Sequence, residues 1–225
     1  ISKGVYKEKS SKKVRKNDPL FLMKNCVVKD YDDYFKGENQ FDYVDTETFE
    51  TKDGAEIIVK YSVSSKKFRE AAVGSGNKLN GFIGKNDGVS VIRNGRELEL
   101  EKSFLNKDTR ERFIGVEVSF DEDSDDIMGV DGKKQSAQNF FKRDIEELAS
   151  DENKSPIEYL NSIEDNLSGE EVVLIKISNS ITSKINTLLG TIRSYRKDTG
   201  KKPGAKDSPE SEGTKKINER PTKTK

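Results

Sequence analysis

Two adjacent lysines, Lys133 and Lys134, follow Gly129-Val130-Asp131-Gly132 and precede Gln135. An ammonium is a compact point charge suited to a phosphate oxygen, and glycines at 129 and 132 let a loop approach a ligand closely. The same pair can equally stand as solvated charge in front of a helix. Arg93 and Arg96 flank Asn94-Gly95. They are placed either to touch another domain or subunit or to point into solvent.

Other chemistry is excluded or fails on spacing. The chain has no histidine, so it holds no serine–histidine triad, no histidine base and no histidine-ligated metal. A single cysteine, Cys26, excludes an internal disulfide and a cysteine zinc cluster, and fits a reducing, cytoplasmic compartment. Gly84-Lys85 ends like a phosphate loop but is followed by Asn86, and Leu79 stands where the first glycine belongs. Asp121, Asp123 and Asp125 mimic the start of a calcium loop, yet Asp126 and Gly132 occupy the positions that need glycine and glutamate. No metal ligand set is expected.

Length and charge set the frame that must position these groups. The 225 residues carry 41 basic and 41 acidic side chains, and only 31% are hydrophobic. The apolar deficit is local. Residues 197–225 contain no aromatic residue and one large aliphatic, Ile217, so they cannot offset chain entropy by burial. Residues 1–29 carry nine basic and two acidic groups, and residues 197–225 nine and five, leaving the middle acidic. Basic ends attract nucleic acid or acidic partners, or are merely solvated. Apolar runs such as residues 172–175 fall far short of the roughly 20 that span a bilayer. No leader is visible, and the first residue is Ile1, as expected of a piece of a longer chain. The expected organisation is a basic extension over 1–16, an α+β domain over 17–150, a helical extension over 151–197 and a disordered basic tail over 198–225.

Periodicity assigns the elements. Asp18-Pro19-Leu20-Phe21-Leu22-Met23 is a turn and a short apolar clip, followed by a polar, tyrosine-rich stretch of weak period to residue 54. Strands are predicted over 55–63, 89–93, 96–100 and 113–120, with Asn94-Gly95 as a two-residue hairpin turn. Residues 66–73 read as a short helix and 74–88, with five glycines, as a loop. Helical spacing of Phe140, Phe141, Ile145 and Leu148 predicts a helix over 136–148. Ser155-Pro156-Ile157-Glu158 and Ser168 with Glu171 are capping boxes that open two more. The last carries a seam of Leu174, Ile177, Ile181, Ile185, Leu188, Ile192 and Tyr195, either a coiled-coil dimer stripe or a face packed on its own domain. Strands first and helices last give an α+β fold.

Two segments stand together. One runs Gly84-Lys85-Asn86-Asp87-Gly88-Val89-Ser90-Val91-Ile92-Arg93-Asn94-Gly95-Arg96-Glu97-Leu98. The other is Phe113-Ile114-Gly115-Val116-Glu117-Val118-Ser119-Phe120, then Gly129-Val130-Asp131-Gly132-Lys133-Lys134-Gln135. With the clip at 18–23, their order and spacing resemble the second domain of bacterial ATP-binding proteins of the GHKL superfamily, the class of gyrase, heat-shock chaperones, mismatch-repair proteins and sensor kinases. The resemblance covers roughly residues 17–145.

It implies a transducer-like mixed sheet with packed helices. In such proteins ATP and Mg2+ are held by an upstream domain, and a lysine on a strand-to-helix loop reaches the terminal phosphate. The matching position is Lys134, with Lys133 and Gln135 beside it. Arg93 and Arg96 become candidates for interdomain contact. The asparagine-bearing helix, aspartate–glycine turn and glycine-rich lid that hold ATP are not found in order in this chain. The parent protein is therefore expected to be an ATPase, and this chain alone non-catalytic. The expected partners are the upstream ATPase domain, a second copy and DNA, with no membrane. The alternative is a nucleic-acid-binding or scaffold module that never meets nucleotide.

Overall fold

The structure, a computed structural model, describes residues 17–23, 40–72, 78–106, 108–166 and 168–199. The basic N-terminal extension, Cys26 and the tail beyond residue 199 lie outside them. The chain divides into two compact units, Ile1–Leu189 and Gly190–Lys225. Of the second, the described part is helical.

The first unit is built on five strands: β1 (Phe41–Glu50), β2 (Glu56–Ser64), β3 (Val89–Arg93), β4 (Arg96–Glu101) and β5 (Ile114–Phe120). They form one mixed sheet in the order β1-β2-β5-β3-β4. β3 and β5 run parallel and the other neighbours antiparallel. The helices are α1 (Lys66–Ala71), α2 (Lys78–Ile83), α3 (Asp125–Met128), α4 (Ile145–Asp151), α5 (Pro156–Asn166) and α6 (Gly169–Thr199). The α+β class read from the sequence is the class observed. Among the described residues no helix is long and apolar enough to cross a membrane.

The register fixes two unlike faces. Val59 and Tyr61 on β2 stand opposite Val118 and Val116 on β5, which stand beside Val91 and Val89 on β3. All six are buried. Because side chains alternate along a strand, this is one apolar face. α6 lies against it. Lys184 sits over the Tyr61 ring, 5.5 Å from its centre, and pairs with Asp45 at 2.7 Å and Glu47 at 3.3 Å on the edge strand β1. The seam residues Leu174, Ile177, Ile181, Ile185 and Leu188 are buried in the single chain, so that stripe is covered without a second copy.

The opposite face is polar and carries the clip. Ser62 donates to the Leu20 carbonyl at 2.7 Å. Gly115 is glycine because a Cβ there would stand 2.7 Å from the Pro19 carbonyl oxygen and 3.0 Å from Leu20 Cα. On this face Glu117 pairs with Lys60 at 3.5 Å. Burial pushes the Glu117 carboxyl above its ordinary range, Lys60 opposes this, and the nearby charges of Asp18 and Glu97 add to the rise. A raised acid carries its native-state charge at a cost above its folded pKa, and that cost is relieved as pH falls towards the unfolded value of about 4.3. Glu117→Gln is therefore expected to raise the thermal midpoint at pH 7, with its advantage over the wild type shrinking as pH drops towards 4. Thermal melts of both proteins at a series of pH values check this.

Two smaller cores complete the unit. Phe21, Phe41, Phe68, Ala72, Leu79 and Ile83 cluster with Phe113, the Phe21 and Phe41 rings 4.7 Å apart. Ala149, Tyr159, Ile163, Val172 and Ile175 join α4, α5 and α6. This second cluster straddles residue 150, where the sequence divides domain from helical extension.

Three local expectations are corrected. β1 occupies part of the stretch read as having weak period. It is an edge strand whose one deeply buried side chain is Phe41, so no alternation marks it. Within 74–88, read as a loop, α2 forms because Leu79 and Ile83, one turn apart, enter the phenylalanine cluster. Residues 73–77 lie outside the described set. The helix predicted over 136–148 begins only at Ile145. Backbone N–H groups that would enter a helix are taken by side chains instead: Ala137 by Glu99, Lys142 by Ser103 and Arg143 by Ser178. Asp144 then caps α4 by accepting from Glu146 and Glu147 N–H. The predicted capping box is present at Ser155 with Glu158; at Ser168 the hydroxyl accepts from Glu171 N–H and donates to its carboxylate.

Candidate functional site: a cationic loop beside the edge hairpin

Asn94 and Gly95 turn β3 into β4 with φ of 47° and 74°. Those two left-handed residues give the turn whose twist matches a two-residue hairpin. A bulge shifts the register between Val91, opposite Glu99, and Ile92, opposite Glu97, leaving Leu98 as the extra residue. The bulge separates the roles of the β4 side chains. Glu97 accepts from Ser90 at 2.6 Å and from Asn17 at 2.7 Å. Glu99 turns to the other side of the strand and reaches Ala137. Arg96 is exposed.

Arg93 ends β3 and is engaged within its own unit. Its Nε and Nη2 donate to the two carboxylate oxygens of Asp125 at 2.5 Å and 2.8 Å. This fork-to-fork pair is geometrically specific. It holds the Asp125 carboxyl below the ordinary aspartate range, with Lys134 adding to the lowering. Asn94 ties the same corner, its N–H donating to Phe120 O at 2.9 Å and its side chain to Glu122. The aspartates read as a failed calcium loop thus have other uses: Asp121 accepts from Asp123 N–H and Asp125 pairs with Arg93. Among the described residues no cluster of three acidic or thiol groups is placed to hold a metal.

Lys133, Lys134 and Gln135 form the exposed tip of a loop over residues 129–139. Gly129 starts it at φ 67°, where the left-handed backbone ends α3. A Cβ on Gly129 would also lie 2.8 Å from the Asn139 nitrogen. The two legs meet at a single bridge between Val130 and Ala137, and Gln138 donates to Gly129 O at 3.0 Å. At the tip, Lys134 N–H closes a turn on Asp131 O, and Gln135 N–H on the Asp131 side chain, both at 2.8 Å. Lys134 itself has φ 52°. That conformation costs an L-residue roughly 1–2 kcal/mol and is usually left to glycine or asparagine.

The structure therefore brings Lys133, Lys134 and Gln135 together at one solvent-facing tip, which lies on the connection from β5 to α4. Neither lysine has an ion-pair partner among the described residues. Arg93 lies near the base of this loop through Asp125, and Arg96 stands apart on the outer edge of the hairpin. Sequence reading missed Asp125 and Glu99. An arginine closing one strand and an acidic run after another gave a signal for the first pair, but only the parallel β3–β5 register brings them together. No protein-family model, no curated protein and no solved structure matches this chain.

Proposed function

We propose that this chain is the transducer-like part of a GHKL-type ATPase, in which Lys134 senses the terminal phosphate of ATP held, with Mg2+, by an ATP-binding domain of the same protein. The observation that carries the reading is the tip itself. It is an exposed ammonium with no ion-pair partner among the described residues, on a strained left-handed residue in a loop fastened at its base. Strain at a solvent-facing position does nothing for packing, and it is kept where geometry matters to function. An ammonium at such a tip stabilises charge on a phosphoryl group without covalent chemistry. The acidic turn at 131 orients the backbone, Asp131 accepting from Lys134 N–H and Gln135 N–H. ATP turnover by the full-length protein with alanine at position 134 tests the reading: loss of turnover with folding retained supports it, and unchanged turnover removes Lys134 from the mechanism.

A further inference from the structure

The loop that bears Lys134 is fastened at both roots by side chains of one hairpin. At the first root, Asp125 opens α3, and its carbonyl accepts from Val130 N–H at 2.9 Å where the loop begins. Its carboxylate is held by Arg93 at the end of β3. At the second root, Ala137 is buried, and its N–H donates to Glu99 Oε1 on β4 at 2.6 Å. The Val130–Ala137 bridge leaves that N–H pointing outward from the loop, so without Glu99 it would be a buried donor with no acceptor. Phe140, three residues on, stacks on Phe104 just beyond β4, the rings 5.4 Å apart. Between the two roots, residues 132–135 are exposed and, among the described residues, touch no other element by hydrogen bond or ion pair.

We infer that Arg93 and Glu99 are positioning residues for Lys134, so that the edge hairpin β3–β4 and the cationic loop move as one piece. This rests on the phosphate-sensing reading above. The hairpin fixes where the ammonium stands. Conversely, a pull on the tip by a bound terminal phosphate is delivered through Asp125 and Ala137 to β3 and β4, whose exposed end carries Arg96. Arg93 then acts inside the unit, and Arg96 is the hairpin cation left to report the movement to a neighbour.

The test pairs hydrogen exchange with kinetics in the full-length protein, using Glu99→Ala, Glu99→Gln and Lys134→Ala. Glutamine keeps an oxygen that can accept from Ala137 N–H, and alanine removes it. Glu99→Ala is expected to speed amide exchange in peptides covering 130–138 by about tenfold and to lower ATP turnover by about tenfold. Glu99→Gln should restore both to within about twofold. The thermal midpoint guards against simple unfolding, and the Gln variant carries the test if the Ala variant fails to fold. Faster exchange in Glu99→Ala with unchanged turnover, while Lys134→Ala is inactive, overturns the positioning role and leaves the sensing lysine intact. A Gln variant as impaired as the Ala variant also overturns it. Full turnover in Lys134→Ala overturns the sensing reading and, with it, this one.

Discussion

Replacing Lys134 with alanine is expected to lower ATP turnover by the full-length protein roughly 100- to 1,000-fold, the usual effect of removing one preorganised charge from a phosphoryl or oxyanion site. Folding should survive. The side chain is exposed and has no ion-pair partner among the described residues, so alanine removes no packing. Lys134→Gly sharpens the contrast. At φ 52° glycine avoids the Cβ clash, and this variant should be more stable than the wild type by about 1 kcal/mol while being equally inactive. A turn position selected only for stability would give the opposite ranking of fitness. Lys133→Ala separates the two neighbours. It should lose at most about tenfold, because the terminal contact is assigned to position 134. Steady-state turnover and thermal melts of the three variants provide the measurement.

Ile181→Ala is expected to cost about 3 kcal/mol, within the range for truncating a large aliphatic in a core. Ile181 has no exposed surface, and neither does Ile177 one turn before it. On β2, Tyr61 is equally buried, and Lys184 sits over its ring and spans to Asp45 and Glu47. The loss should be read by denaturant unfolding at several protein concentrations. A seam packed on its own sheet gives a cost independent of concentration. A dimer seam gives a midpoint that rises with concentration. Ile157 is the control: it is 73% exposed, and Ile157→Ala should change stability by less than about 0.5 kcal/mol.

What could be read from residues alone follows physical lines. The β3–β4 hairpin and β5 were legible because β-branched alternation and Asn94-Gly95 are local signals. The starts of α5 and α6 were legible because a serine and a glutamate three residues later satisfy each other within one turn. β1 was not, since an edge strand with one buried side chain carries almost no period. α2 was not, since its stability comes from distant phenylalanines rather than its own glycine-rich sequence. The helix assigned over 136–148 failed for a related reason: the apolar spacing was real, but Phe140 belongs to a stack with Phe104, and three backbone donors were claimed by side chains from elsewhere. At the candidate site, the tip residues were singled out by the flanking glycines and by the resemblance. Their supports were not, because Arg93–Asp125 and Glu99–Ala137 span 32 and 38 residues of sequence.

The most direct test of the central claim is covalent. A derivative of ATP with an acyl group on its terminal phosphate delivers that acyl group to an amine lying against the phosphate: the amine attacks the carbonyl carbon and the nucleotide leaves. Treating the full-length protein with this reagent and mapping modified peptides by mass spectrometry should find acylation at Lys134, suppressed by excess ATP. An unmodified Lys134 beside labelled lysines elsewhere, or labelling of Lys134 that ATP does not suppress, would contradict the account.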